Sequence, residues 1–313
     1  MRGTLDPQPN FKVKNDGDSP AIKDALKLIS FNYTEKDAQD SRNKAVNELF
    51  ASGAEIKELD GPRKIGAKVL LQAFWKIIAD LKPLDFRAEG TQVPEYKEDL
   101  VTQGLGTVLK RGGWDATFRD KGGMAANLIA YGDAFRLIGA KGENGFPIEF
   151  QMIDNSNIYV DVRATGFRRG NKPVRKCAVV FSGTWSQFVA LFPSAKNKAG
   201  LGQIPRNNQF LTETDQKQWQ QVLAEDQVIE WCYYFDIDNL NYTLFAGSNC
   251  TILEEKNKDE YPFVYKDREG REEPFIPVSH YLCIPSLEGF YNLGIFSMIY
   301  DYALLYRQIF NQM

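Results

Sequence analysis

The sequence predicts an α+β fold with N-terminal helices, a central strand-rich domain built on antiparallel sheets, and a long C-terminal helix. Apolar residues recur at helical spacing before about residue 131. After it, short runs of alternating apolar and polar residues dominate, bounded by glycine, asparagine and proline. Segregated helices and antiparallel strands are typical of α+β domains. The 313 residues, 43% of them hydrophobic, suffice to bury a sizeable core.

The N-terminal part is predicted to be helical after a flexible arm. Residues 1–20 are polar and contain three prolines, so we expect no packed structure there and no secretory signal. Thr34 and Asp37 have the spacing of a capping box, and Asp60 begins a Gly-Pro stop signal. The predicted helices span 34–59, 65–81, 96–109 and 116–131.

The second of these helices has a wide apolar stripe, which predicts burial on more than one side. One face carries Ile65, Val69, Ala73, Ile77 and Leu81, and the adjoining face carries Leu70, Phe74 and Ile78. We therefore expect this helix to lie in the interior of the helical part.

Strands are predicted where apolar residues alternate with polar ones. Gly132 ends the last N-terminal helix because glycine tolerates positive φ. Phe135 and Leu137, on either side of Arg136, then begin a strand with one buried face. Residues 148–152 repeat the alternation. A later strand has one aromatic-rich face, formed by Ile229, Trp231, Tyr233, Phe235 and Ile237. The remaining strands are predicted at 174–181, 242–246 and 250–254, with short helices at 185–191 and 212–223.

Few groups look chemically reactive, so we expect no catalytic residue, no cofactor site and no metal site. The single histidine, His280, would have to serve any Ser-His-Asp or Cys-His site, and a multi-histidine metal centre is excluded. Phosphate-loop and dinucleotide-binding patterns are absent. The four cysteines stand far apart without a CxxC pair, which is typical of reduced, buried thiols. A net charge of −3 argues against a protein that coats nucleic acid.

A soluble carboxylate-based enzyme is the alternative that the residues leave open. Asp236 and Asp238 have the two-residue spacing of a metal-binding DxD pair, and Glu230 lies on the same predicted strand. The two aspartates also enter a hairpin turn, where Asp and Asn are common, and this turn interpretation is favoured. Asp154 and Asn155 are likewise interpreted as an Asx-type turn rather than as a calcium loop.

A run of positive charge, which we call the basic segment, covers residues 163–176 and contains no acidic residue. Its glycines and proline predict an exposed loop or hairpin tip. Such a loop is a candidate contact for DNA phosphates or for an acidic face of a neighbouring protein, and a solvated loop explains it equally well. Its cations are Arg163, Arg168, Arg169, Lys172, Arg175 and Lys176.

Two regions carry a family resemblance. In the first, a helix ends in Tyr-Gly-Asp-Ala-Phe at 131–135, and the following strands close on Asp-Asn-Ser-Asn-Ile-Tyr-Val-Asp at 154–161. In the second, from 228 to 313, a strand pair precedes two Pro-Phe segments and a glycine-flanked entry into a helix. In this order the motifs resemble the wing domain of portal proteins of tailed bacteriophages. The second region matches at Pro262, Phe263, Pro274, Phe275, Gly289, Gly294, Gln308, Asn311 and Gln312.

The resemblance implies a non-enzymatic structural subunit of a ring-shaped portal, the head–tail connector at one capsid vertex. Such a ring forms the channel for DNA packaging and genome ejection. The implied partners are further copies in a dodecameric ring, a major capsid or scaffold protein, a head–tail adaptor, the packaging terminase, and double-stranded DNA by non-specific contact. The implied location is the virion, after assembly in the host cytoplasm, with no membrane involved.

The resemblance also suggests how the chain is divided. We expect a flexible arm at 1–20, a wing-like domain at 21–290 and the start of a long stem helix at 291–313. Residues 294–305 are too few for a membrane span and include Asp301. No Gly or Pro stop precedes Met313, so we expect either a longer subunit with a clip and a second stem helix, or a shorter ring component. One face of the predicted helix carries Phe296, Ile299, Ala303, Tyr306 and Phe310.

Overall fold

Helices and antiparallel sheets make up the fold, which confirms the predicted α+β class. The structure is a computed structural model that describes residues 19–31, 39–41, 43, 46, 72, 74–81, 94–119, 123–139, 149–161, 164–167, 172–197, 228–247, 249–266, 269–285, 290–296 and 298. The helices are α1 (20–31), α2 (72 and 74–80), α3 (Glu95–Arg111), α4 (Trp114–Arg119), α5 (Met124–Tyr131) and α6 (Trp185–Leu191).

Ten strands are described. They are β1 (Asp133–Gly139), β2 (Glu149–Ile153), β3 (Ile158–Val160), β4 (Lys176–Thr184), β5 (Val228–Asp236), β6 (Asn241–Ala246), β7 (Thr251–Asn257), β8 (Val264–Lys266), β9 (Glu272–Pro274) and β10 (Val278–Leu282). They form sheets with the orders β10-β1-β2, β3-β4-β5-β6-β7 and β8-β9. Every strand pair in these sheets is antiparallel.

Two of the helix predictions are confirmed, one is wrong, and α1 was not predicted. Helix α3 confirms the helix predicted at 96–109, and α6 confirms the one at 185–191. The single helix predicted at 116–131 is wrong, because α4 ends at Arg119 and α5 begins anew at Met124 after Gly123, which is extended at ψ −178°. Of the helix predicted at 34–59, residues 39–41, 43 and 46 are helical. The helix predicted at 212–223 lies outside the described residues.

Helix α2 buries a narrower face than its sequence predicts. Phe74 and Ile78 are buried, whereas Ile77 is 38% and Leu81 37% exposed. The prediction that the Ile77–Leu81 face is buried is therefore wrong for these two residues. The ring of Phe74 meets Phe296 edge to face at 5.2 Å, and this contact selects which stripe of α2 turns inward.

The chain divides into two compact units. Unit 1 comprises Met1–Glu35, Asn157–Ala164 and Val174–Ile276. Unit 2 comprises Lys36–Ser156, Thr165–Pro173 and Pro277–Met313. The segments of the two units therefore alternate along the chain. The predicted division into residues 1–20, 21–290 and 291–313 stays a prediction.

Unit 1 is built on the five-stranded sheet. Ile22, Ala25 and Ile29 recur at helical spacing, so α1 buries one stripe against a face of this sheet. On the opposite face, Phe188 of α6 packs against Trp231 with ring centroids 5.7 Å apart. Thr184 Oγ1 accepts a hydrogen bond from Gln187 N, and Thr184 N donates one to Gln187 Oε1, so a capping box starts α6.

Unit 2 is built on the three-stranded sheet and the helices α4 and α5. Strand β1 lies in the middle, between β10 and β2, and its first five residues are buried. The prediction that β1 has one buried face is therefore wrong, because Arg136, expected to point outward, is also fully buried. Because a central strand covered on both faces has no exposed side, buried and exposed residues do not alternate along it.

Alkaline pH is expected to destabilise unit 1 through its buried tyrosines. Burial raises the pKa of Tyr234, Tyr242 and Tyr261 above the ordinary value of 10. Above about pH 10 the unfolded chain releases phenolic protons that the folded chain retains, so stability that is intact below pH 10 falls as the pH rises. Urea unfolding at pH 8 and pH 11 measures the fall, and the Tyr242→Phe variant should show a smaller one. If all tyrosines ionised near pH 10 while the circular dichroism spectrum stayed native, the expected loss of stability would be contradicted.

Candidate functional site

Two glycines bring distant parts of unit 2 into backbone contact. Gly132 ends α5 in the left-handed conformation at φ +93°, and its N–H donates to Leu128 O at 3.1 Å. A Cβ at Gly132 would lie 2.5 Å from Gly294 N, and a Cβ at Gly294 would lie 2.6 Å from Ala130 O. Real Cβ atoms do not come so close to backbone atoms, so both positions require glycine.

Asp133, the first residue of β1, is the polar centre of this contact. Its side chain is fully buried. The carboxylate accepts hydrogen bonds from Asn292 N at 2.7 Å and from Asn292 Nδ2 at 2.6 Å. His280 Nε2 lies 2.7 Å from Oδ1, and Gln39 Nε2 donates to Oδ2 at 3.4 Å. A buried carboxylate is tolerable when it is satisfied in this way.

Backbone hydrogen bonds extend the contact on both sides. Cys283 N donates to Gly132 O at 2.8 Å, and Ile284 and Leu293 exchange two hydrogen bonds at 3.2 and 3.0 Å. We call the cluster of Gly132, Asp133, His280, Asn292 and Gly294 the Asp133 joint. The joint attaches residues 292–294 to the start of β1. Residues 295, 296 and 298, which follow this segment, are helical.

His280 is held inside this joint by aromatic rings. Its ring stacks on Phe135 with centroids 4.5 Å apart and on Phe290 at 4.9 Å, and Phe167 approaches edge-on at 6.2 Å. No serine or cysteine of the described residues hydrogen-bonds to the imidazole. The His280–Asp133 pair therefore lacks the nucleophile of a hydrolytic triad among them.

The described thiols do not supply such a nucleophile either. Cys177, Cys232 and Cys250 are free and buried, and Cys283 is free and half-buried. Burial raises the pKa of Cys232 and of Cys283, which disfavours the reactive thiolate. The prediction of reduced, mostly buried thiols is confirmed.

Replacing His280 by glutamine is expected to cost stability through lost stacking. Glutamine can still donate to Asp133 but cannot stack between Phe135 and Phe290, and we expect a loss of about 1–3 kcal/mol. Chemical denaturation measures it. The His280→Phe variant is the matched control, because it keeps the stacking and removes the hydrogen bond. A His280→Gln protein as stable as the wild type would contradict the structural role of the ring.

The carboxylates of the alternative enzyme site do not converge. Asp236 is buried at the end of β5 and accepts hydrogen bonds from Asn239 N at 3.1 Å and from Asn239 Nδ2 at 2.8 Å, as a turn requires. Asp238 is half exposed and pairs with Arg175 Nη2 at 2.7 Å. Glu230 lies six residues before Asp236 on β5, roughly 20 Å away along the strand.

The basic segment is only partly available for contacts with a partner. Arg163, Arg168 and Arg169 lie outside the described residues, and Lys172 is exposed. Arg175 pairs with Asp238, and Lys176 Nζ lies 3.2 Å from Asp24 and 3.1 Å from Asp236. Burial lowers the pKa of Lys176, but hydrogen bonds to Asp236 and Asp24 raise it more, so its pKa is above the ordinary value. Arg175 and Lys176 thus serve unit 1 itself.

Two aspartates bind backbone N–H groups at loops. Ser156 N donates to Asp154 Oδ1 at 2.9 Å, which confirms the turn predicted at Asp154. Asp161 Oδ2 accepts from Arg175 N at 2.6 Å and from Lys176 N at 2.7 Å, which fixes the start of β4.

Sequence reasoning singled out Tyr-Gly-Asp-Ala-Phe but did not find the partners of its aspartate. Asn292 lies 159 residues from Asp133, and no local pattern links them. The one signal in the sequence is an acidic residue at the start of an apolar strand. Because a charge is buried only if it is paired, this residue indicates that a partner lies elsewhere in the chain.

Within the described part of the chain, no helix is long and apolar enough to cross a lipid bilayer. The same residues contain no group of three or more His, Cys, Asp or Glu side chains that could hold a metal ion. No model of a known protein family matches the chain, and no curated protein sequence matches it.

Proposed function

We propose that this chain is a non-enzymatic subunit of a ring-shaped portal in a tailed bacteriophage. Copies of the chain would form the channel through which DNA is packaged and ejected, and the platform on which the tail attaches. The sequence resemblance that motivates the proposal rests on two separate regions, 131–161 and 228–313.

The observation that carries the proposal is that these two regions meet in the Asp133 joint. Gly132 touches Gly294, the Asp133 carboxylate binds Asn292, and the rings of Phe135 and Phe290 stack at 5.8 Å. Each of these residues belongs to one of the motifs on which the resemblance rests. The Asp133 joint is a rigid connection between two chain segments rather than a reactive site. Such a connection suits a subunit that must hold the helix after residue 294 in place.

The composition of the joint supports a mechanical role. Its polar groups are buried and satisfied by one another, so they favour one arrangement of backbone over its alternatives. In a portal, the helix that follows residue 294 would be part of the channel-lining stem. An anchored helix start would transmit load from that stem to the wing-like domain.

The partners of this proposed subunit follow from the family resemblance. They are further copies in a closed ring, by resemblance a dodecamer, a major capsid or scaffold protein, a head–tail adaptor, the packaging terminase and double-stranded DNA. Head-to-tail contacts that close on themselves generate such rings. The proposed location is one vertex of the virion capsid.

Electron microscopy of the purified full chain tests this proposal. We expect rings with a central hole, and labelling of virions at a single vertex by an antibody against the chain. A compact monomer in every salt condition, together with virions that carry no label at a vertex, would overturn the proposal. A turnover that depends on Glu230, Asp236 and Asp238 would establish the carboxylate enzyme instead.

Reversing the charge of Arg168, Arg169 and Lys172 to glutamate is expected to reduce the yield of DNA-filled particles. These three cations belong to the basic segment, and in a portal they would face capsid, scaffold or packaged DNA rather than the channel. The loss should depend on salt, because charges are screened beyond about 8 Å at physiological ionic strength.

The matched control is Arg175→Glu, which breaks the pair with Asp238. Because this pair is exposed, we expect a change of less than about 1 kcal/mol in stability and no change in filling. Normal filling by the triple variant would identify the segment as a solvated loop. Loss of rings would place the segment at the interface between subunits.

A further inference from the structure

A buried arginine of unit 2 has hydrogen-bonding capacity that the fold does not use. Arg136 lies in the middle of β1 and is fully buried. Its Nη2 donates to Trp114 O at 3.2 Å, whereas its Nε and Nη1 have no hydrogen-bond partner. Arginine is almost never fully buried without a partner, because an unpaired charge in the interior is costly.

The surroundings of Arg136 contain no counter-charge. Among the described residues, no carboxylate lies within ion-pair distance of its guanidinium. The hydroxyl of Tyr281 is the polar side-chain group that interacts most strongly with the guanidinium, as a neutral hydrogen-bonding neighbour, and Asp115, which is exposed, acts on it more weakly. The ring of Trp114 lies 4.2 Å from Cζ, and this cation–π contact holds the guanidinium plane in place without satisfying its N–H groups.

Two hydroxyl groups lie on the same face of the sheet. Ser279 is directly opposite Arg136 in the β1–β10 pair, and Tyr281 is opposite Ala134, two residues away. Residues at these positions share one face of a sheet. Both are half-buried, whereas Ala134 and Arg136 on the same face of β1 are fully buried. The arrangement is a charged donor in the interior with neutral donors at its rim.

We propose that Arg136 binds a small oxyanion, a phosphate or carboxylate group, with the Ser279 and Tyr281 hydroxyls as neighbouring donors. Guanidinium groups bind such anions through charge-assisted hydrogen bonds, and the bound anion supplies the missing counter-charge. The site stabilises unit 2 and is independent of ring formation.

Thermal unfolding of the full chain in phosphate, acetate and chloride at equal ionic strength tests this site. A ligand that binds the folded state raises the unfolding midpoint, by roughly 2–5 °C once its concentration is about ten times its dissociation constant. We expect such a rise, saturating with concentration, in phosphate or acetate relative to chloride, and the stronger anion identifies the group that the site prefers. Equal midpoints in all three salts would overturn the proposal, because buried water would then satisfy Arg136.

The Arg136→Met variant should lose the anion-dependent rise while its midpoint in chloride stays equal to or above that of the wild type. The same rise in this variant would overturn the proposal, since the anion would then bind elsewhere. The Ser279→Ala/Tyr281→Phe double variant keeps the charge and the core, so it remains informative if Arg136→Met misfolds. We expect it to show less than half of the wild-type rise, and an unchanged rise would also overturn the proposal.

Discussion

Replacing Gly132 by alanine is expected to prevent stable folding of unit 2. The added Cβ would overlap the backbone of Leu293 and Gly294, where no side chain can move aside. The residue also adopts φ +93°, which alanine disfavours. We expect a loss of stability on the order of 4 kcal/mol or more, measured by urea unfolding or as insoluble expression.

Gly270 provides a matched control for this change. It also has a positive φ, +80°, but a Cβ there would meet nothing within 4 Å. The Gly270→Ala variant therefore carries only the conformational penalty, about 1–2 kcal/mol. Equal losses in the two variants would show that left-handed backbone, and not the close approach of two chain segments, determines the requirement at Gly132.

Replacing Asp133 by alanine is expected to have the second largest effect. Removal of the carboxylate leaves Asn292 N, Asn292 Nδ2 and the His280 ring without their buried acceptor. Each unsatisfied buried group costs about 1–3 kcal/mol, so we expect a total of about 3–5 kcal/mol. Asp133→Asn keeps the size but turns a donor toward donors, and should cost about 2–3 kcal/mol.

Asp238→Asn is the control for the aspartate series. Asp238 is half exposed and forms one ion pair with Arg175, so its loss should cost less than about 1 kcal/mol. Chemical denaturation of the three variants under one condition gives the comparison. If Asp133→Ala were as mild as Asp238→Asn, the Asp133 joint would not stabilise unit 2.

Local patterns in the sequence predicted the elements that depend on neighbouring residues. Thr184 and Gln187 form a capping box within one helical turn. The helix that this box starts, α6, has the bounds that the sequence predicts, 185–191. The aromatic alternation along β5 predicted a strand because its sheet has distinct faces. The capping contact joins residues three positions apart, and the alternation lies within β5 itself.

Predictions failed where contacts between residues far apart in the sequence determine the structure. Arg136 was expected to be exposed because a charge between two apolar residues normally marks the solvent face, yet Trp114 covers it. The buried face of α2 depends on Phe296, which lies more than 200 residues away. The glycine at 132 was predicted as a helix stop, but its contact with Gly294 has no signature in either segment alone.

The sequence distances within the Asp133 joint set the order in which the chain can fold. Asp133 lies 147 residues before His280 and 159 before Asn292, so the partners within 2.7 Å of its carboxylate are absent until synthesis has reached them. The last segment of unit 1 ends at Ile276, before β10 exists. During translation unit 1 can therefore close first, while the edge of β1 that pairs with β10 stays open and Asp133 lacks His280 and Asn292. Such a half-built edge is prone to aggregation. Ribosome stalling between residues 276 and 292 should produce the most chaperone-dependent nascent chain.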